Sequence, residues 1–122
     1  MFRVAELGQK VAKEDFDRIA ASLRIEMVEL QQQLRQADFP VIVVFAGVDG
    51  AGKGESINLI NEWMDPRWII TRAYDQPSDE EQERPNYWRF WRDLPPKGKM
   101  MLFQSSWYSR EILERFQGCD TE

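Results

Sequence analysis

Val41-Ile42-Val43-Val44-Phe45-Ala46-Gly47-Val48-Asp49-Gly50-Ala51-Gly52-Lys53-Gly54 is the stretch that decides the fold. A short apolar run passes directly into a glycine-rich loop that carries a lysine. The pattern predicts a buried strand, a phosphate-cradling turn and the start of a helix. In such a turn successive backbone N–H groups converge on one point, and the helix dipole adds positive potential there. Glycines let the backbone approach an anion closely, and the lysine ammonium reaches terminal phosphates. Gly47, Gly50, Gly52, Lys53 and Gly54 are therefore candidate phosphate-binding residues. The match to G-x-x-x-x-G-K-[ST] holds through Lys53 and fails at Gly54, where a hydroxyl would normally hold Mg²⁺.

Asp49 is unusual inside a phosphate loop. A carboxylate there repels phosphate unless a divalent cation lies between them. It reads as a Mg²⁺-side or acceptor-side carboxylate, with a structural cap as the alternative. Ser56 carries a hydroxyl two positions beyond Gly54, but on a helix it points elsewhere.

The flanking sequence supplies the rest of an α/β order. Asp15 can cap a helix that begins at Phe16, with Phe16, Ile19, Leu23, Met27, Leu30 and Leu34 as an apolar stripe at steps of three and four. That helix either packs on its own domain or serves as a coiled-coil or dimer helix. Pro40 ends it, and Val41–Ala46, which does not alternate, reads as a central strand covered on both faces. Lys53–Met64 follows as a helix with Ile57, Leu59, Ile60, Trp63 and Met64 inward, and Asp65-Pro66 stops it. Trp68–Ala73 reads as a second strand, completing a strand–helix–strand unit. Ser78 and Glu81 have capping-box spacing, and Pro85 kinks or restarts the helix they begin. Pro95-Pro96-Lys97-Gly98 is a turn, Lys99–Phe103 a third strand and Trp107–Phe116 a last helix. Strands and helices in alternation predict an α/β layered fold with a parallel sheet. So small a sheet, with a last helix that has no strand to return to, reads as a fragment of a longer chain. The expected division is 1–38, an N-terminal segment with a long helix, and 39–122, the first part of a phosphate-loop domain.

Composition narrows the chemistry. The 122 residues are about one domain's worth, 43% hydrophobic and 30% charged. The absence of histidine excludes Ser-His-Asp and Cys-His catalysis and any histidine-ligated metal within the chain. A net charge of −5 argues against broad nucleic-acid binding. No apolar run is long enough to span a membrane, and the charged Met1–Lys13 is unlike a secretory signal. A lone cysteine, Cys119, permits no internal disulfide and fits a reducing cytoplasm.

Two further segments bear on chemistry. Phe103-Gln104-Ser105-Ser106-Trp107-Tyr108 lies at the carboxyl end of strand three, the edge that faces the ligand crevice in open α/β sheets. Phosphate-loop kinases carry an acidic residue there, and this chain has Gln104. Arg72, Arg84, Arg89, Arg92 and Arg110 are candidates for holding transferred or acceptor phosphates, because guanidinium matches phosphate bidentately. Arg72 and Arg110 stand nearest strand ends. Trp88 and Trp91 read as core residues more readily than as a base-stacking platform.

Taken together, these segments resemble the type-2 polyphosphate kinase family. The likeness lies in Gly47-x-Asp49-x-x-Gly52-Lys53-Gly54, in Pro85-x-x-Trp88-Arg89-Phe90-Trp91-x-x-Leu94-Pro95, and in Phe103-x-x-Ser106-Trp107-Tyr108-Ser109-Arg110. The opening from Met1 to Lys13 is similar to the N-terminus of tandem-domain members, which carry two fused copies of the domain. The resemblance implies a three-layer αβα phosphate-loop kinase fold and Mg²⁺-dependent phosphoryl transfer from inorganic polyphosphate to AMP, giving ADP. It implies that Lys53 contacts the phosphates, that Asp49 carries the loop aspartate's role and that Arg110 matches the arginine closing the third motif. It also implies a second kinase-like copy as partner; the charge and the short apolar runs speak against a nucleic-acid or membrane partner, and the Phe16–Leu34 stripe leaves a homo-oligomer as a further expectation. The sequence departs from the family at Gln104-Ser105, where the pattern has Asp-Arg, so a metal-side carboxylate and a phosphate-binding arginine are lost together. This copy is therefore expected to be a degenerate half. An ATP-using nucleoside monophosphate kinase and a non-catalytic scaffold or dimerisation module are the rival readings.

Overall fold

A computed structural model describes residues 8, 10–48 and 50–108. The elements run α1 (Lys13–Leu34), β1 (Val41–Phe45), α2 (Lys53–Trp63), a 3₁₀ turn (Pro66–Trp68), β2 (Ile69–Ala73), α3 (Asp79–Gln82), α4 (Trp88–Arg92) and β3 (Met100–Gln104). The three strands are parallel and ordered β1-β3-β2. Val41 and Ile69 both pair with Met100, and Phe45 and Ala73 both pair with Gln104. All three carboxyl ends therefore finish on one edge.

The sheet order corrects the expectation that Val41–Ala46 is the central strand. Every residue of β1 is half-buried, and among the described residues β1 stands at an edge. β3 takes the centre, with Met101, Leu102 and Phe103 fully buried. Its alternation feeds two cores. Leu102 joins Ile57, Met64 and Ile69 on one face, where α2 and Met27 of α1 pack. Met101 and Phe103 join Phe90 on the other, with Tyr74 and Trp107 against them. Helices thus cover both faces of a parallel sheet, as the α/β reading required.

Helix α1 begins three residues before the expected Phe16. Ala12, not Asp15, is its N-cap, and no side chain caps it. Glu14 and Asp15 lie inside the first turn, where acidic side chains favour the positive end of the dipole. The apolar stripe is also only partly used. Leu34 is buried and Met27 packs on the core, but Phe16, Ile19, Leu23 and Leu30 are exposed. The amino-terminal part of the stripe faces away from this domain. Gln31 does the fastening: it is buried, its Nε2 donates to the Asp65 carbonyl at 2.9 Å, and its Oε1 accepts the Asp65 N–H at 2.8 Å.

Other local expectations hold. Met64 closes α2, and Asp65 accepts the Arg67 N–H across the turn that leads into β2. Ser78 and Glu81 form a complete capping box. The helix they open stops after four residues, and α4 restarts after Pro85. Gly98, at φ 78°, lets its turn meet the end of α1, where an added Cβ would stand 2.9 Å from the Arg35 carbonyl oxygen. Of the helix expected over Trp107–Phe116, only Trp107 and Tyr108 are among the described residues, and both are helical.

Candidate functional site

The phosphate loop joins β1 to α2 at the shared carboxyl edge. Gly50 and Gly52 adopt φ values of 77° and 87°, in the left-handed region where a side chain is strained. Gly52 is the N-cap of α2, so the helix opens without a side-chain cap and its first N–H groups point into the loop. Lys53 is the first helical residue. Its Nζ donates to the carbonyls of Gly47 at 2.6 Å and Val48 at 3.0 Å, folding the side chain across the loop. Among the described residues, no atom outside α2's own backbone lies within 4 Å of where a Cβ on Gly54 would stand, so there is room there for a side chain. Ser56 does not supply the hydroxyl that Gly54 lacks, because its Oγ donates to the Gly52 carbonyl at 2.9 Å.

One strand away, β3 brings Gln104 level with Phe45. Ser105 follows at φ 66°, the one described non-glycine residue with positive φ, and its N–H donates to the Phe45 carbonyl at 3.0 Å. This bond ties the turn after β3 to the end of β1. Ser106 is buried, and its Oγ accepts the Tyr108 N–H at 3.3 Å. The structure thus brings Gly47, Gly50, Gly52, Lys53 and Gly54 together with Gln104 and Ser105. Asp49 and Arg110 lie outside the described residues.

A protein-held Mg²⁺ needs one or two carboxylates beside the phosphates. Around the loop the described residues offer the Gln104 amide, the committed Ser56 hydroxyl, backbone carbonyls and the Glu55 carboxylate in the first turn of α2, and no group of three or more Cys, Asp or Glu among them could hold a metal. Asp49, the candidate ligand, lies outside the described residues.

Charge of another kind gathers two strands from the loop, where β2 meets α3 and α4. Arg72 lies 3.7 Å from Asp93, and Arg92 lies 3.5 Å from Glu81 and 3.4 Å from Asp93. Arg89 donates to the Asp75 carbonyl at 2.8 Å and lies 3.5 Å from Glu81. Arg84 pairs with Glu80 and reaches over Trp88. Tyr74 OH donates to Asp93 at 3.0 Å, and burial, then this bond and the Asp93 charge, push the phenol above its ordinary range. Sequence patterns do not single out Glu81, Asp93 or Tyr74 as site residues. Capping spacing marks Glu81, but only for its backbone role.

Trp91 corrects another expectation: it is 60% exposed and not a core residue. With Tyr87, Phe90, Leu94 and Trp107 it lines an open apolar cleft of about 370 Å³. Trp88 is half-buried beneath the guanidiniums of Arg84 and Arg92.

Comparison with known proteins matches this arrangement to one family. The family model described as polyphosphate kinase 2 (PPK2) covers residues 10–122. A polyphosphate:AMP phosphotransferase of Pseudomonas aeruginosa is 48% identical over 119 residues, which are 97% of this chain and 24% of that protein. Polyphosphate kinase PPK2B of Corynebacterium glutamicum is 34% identical over 93% of this chain and 37% of its own. Among solved structures, polyphosphate kinase 2 from Arthrobacter aurescens superposes with a TM-score of 0.85 at 25% identity, covering 94% of this chain and 42% of its own. The chain spans about a quarter of the length of the phosphotransferase it matches. With its family-model match running from α1 through the phosphate loop and the β3 edge, this chain belongs to the polyphosphate kinase 2 family.

Proposed function

We propose that the protein containing this chain transfers the terminal phosphoryl group of inorganic polyphosphate to AMP, giving ADP and a polyphosphate shortened by one unit. A phosphate oxygen of AMP attacks the terminal phosphorus in line. The new P–O bond forms as the bond to the next phosphate breaks. Backbone N–H groups of the loop and the Lys53 ammonium offset the charge on the migrating group. Mg²⁺ would supply further neutralisation, with Asp49 its candidate ligand. Arg110 would contact the phosphates, and the reaction would take place in the cytoplasm. The observation that carries this reading is the 48% identity to a polyphosphate:AMP phosphotransferase across 97% of the chain, with the loop and the Gln104 edge inside the matched span.

Within that protein this copy is the weaker one. Gln104 stands where the family pattern has a carboxylate, and its neighbour Ser105 has no guanidinium. Losing a charge-stabilising group from such a site costs about 3–4 kcal/mol of barrier. A second, kinase-like copy would then perform most of the chemistry. The exposed Phe16, Ile19 and Leu23 favour an additional scaffolding role for α1, between copies or between subunits.

The test is an ADP assay on the intact protein, with AMP plus polyphosphate and with AMP plus ATP. Polyphosphate-dependent ADP is expected. ADP formed only with ATP would move the protein to the nucleoside monophosphate kinases.

A further inference from the structure

Glu81 is at the centre of the charge cluster on the carboxyl edge, and it is oversubscribed. Its Oε2 accepts the Ser78 N–H at 3.0 Å and lies 3.5 Å from Arg89, while its Oε1 lies 3.5 Å from Arg92. Asp93 is shared in the same way, between Arg72 at 3.7 Å, Arg92 at 3.4 Å and the Tyr74 hydroxyl at 3.0 Å. Arg72, Arg89 and Arg92 therefore share the two carboxylates of Glu81 and Asp93.

The Glu81 pairs are long for charged partners. The exposed Arg67–Asp65 pair closes to 2.7 Å, within the usual range for a charged N–H···O contact. Attraction is stronger in a sheltered setting, so the looser pairs at Glu81 record competition for one carboxylate. Arg89 feels this most. Its side chain is 12% exposed, one Nη donates to the Asp75 carbonyl, and its buried Nε has no partner among the described residues. A guanidinium has five N–H donors, and leaving them unmet under cover is costly.

We propose that Arg89 and Arg92, with Arg72 at the margin, form an oxyanion subsite in which Glu81 is a built-in stand-in, and that a substrate phosphate group takes its place. A phosphate group offers more acceptor oxygens than a carboxylate already engaged in a cap, and guanidinium matches it bidentately. Arg72 and Arg92 are about half exposed and open the subsite to solvent. The Tyr74 N–H donates to the Gln104 carbonyl, so the cluster begins one strand from Gln104 and two strands, roughly 10 Å, from the phosphate loop. Only the identity of the ligand rests on the polyphosphate reading. The phosphate of the acceptor nucleotide and a unit of the polyphosphate chain share the required chemistry.

The experiment uses the intact protein with Lys53→Ala, which removes the lysine contribution of the phosphate loop, and compares it with and without Glu81→Gln. Glutamine keeps the capping-box geometry and removes the competing charge. Calorimetric titration with AMP, tripolyphosphate and adenosine is the readout. Glu81→Gln is expected to tighten binding of AMP or tripolyphosphate about tenfold, one pK unit of interaction, and Arg92→Gln added to it is expected to reverse the gain. A gain for AMP alone assigns the acceptor phosphate, and a gain for tripolyphosphate alone assigns the polyphosphate chain. The proposal is overturned by unchanged affinities in a folded Glu81→Gln protein, by an equal gain for adenosine, or by a gain that survives Arg92→Gln. Should Glu81→Gln fail to fold, Arg92→Gln alone decides: it must weaken phosphate-dependent thermal stabilisation of the Lys53→Ala protein, and no change overturns the proposal. The function reading fails separately, if the wild type makes no ADP from polyphosphate while the Glu81→Gln gain persists.

Discussion

The phosphate loop and the α3–α4 arm share one sheet edge and are built in opposite ways. The loop is made of backbone: glycines at positive φ, a helix opened by Gly52, and, among the described residues, open space at Gly54. The arm is made of side chains, with Phe90 pressed between Tyr74, Phe103 and Trp107 and with arginines sharing Glu81 and Asp93. A backbone site keeps its shape when side chains change, so the cradle does not depend on which residues stand at 104 and 105. A side-chain site has no such insulation.

The largest effect should come from removing the arm's anchor. Phe90→Ala leaves a cavity in one core and is expected to cost about 3–5 kcal/mol in denaturant unfolding. A loss below about 1 kcal/mol would mean that the charge cluster holds the arm by itself. In the loop, Gly52→Ala forces a Cβ into the left-handed region and should cost about 1–2 kcal/mol, with weakened polyphosphate binding. Unchanged stability and binding would show that the loop's shape does not depend on that conformation.

Tyr74→Phe removes the bond to Asp93 and should cost about 1 kcal/mol near neutral pH. Because the folded phenol titrates above its ordinary value, its contribution is present below pH about 10 and is lost as pH rises through the folded value. The variant should therefore lose less stability than the wild type in alkaline melts, and identical alkaline limbs would contradict the assignment. Ser105→Gly relieves the one described non-glycine residue at positive φ and should stabilise by about 0.5–1 kcal/mol. The smallest change is expected away from both regions. The hydrogen bond from Arg67 holds the Asp65 carboxyl at about 2, so Arg67→Gln should lower stability slightly above the ordinary carboxylate range, and in melts across pH the difference should vanish as pH falls toward 2.

Features carried by local sequence are legible in the residues alone. The phosphate loop follows from its glycines, the break after α2 from Asp65-Pro66 and the α3 cap from Ser78 and Glu81. Features set by distant partners are not. β3 is central because both other strands pair with it, which no window of sequence records. The α1 stripe has helical spacing throughout, yet of its six residues only Met27 and Leu34 are drawn in, while Phe16, Ile19, Leu23 and Leu30 stay exposed. Asp15 has capping chemistry but lies inside the first turn. Glu81 is visible as a cap, whereas its meeting with Arg89 and Arg92 depends on how α4 restarts beyond Pro85.

The central proposal is that this chain keeps a working phosphate cradle and lacks, at Gln104 and Ser105, groups that would make it catalytic. Its most direct test is ADP formation by the intact protein from AMP and polyphosphate after Gln104→Asp with Ser105→Arg, with and without Lys53→Ala. The account predicts a faster reaction in the restored protein, with the gain removed by Lys53→Ala. An unchanged rate, or a gain that does not need Lys53, would contradict it.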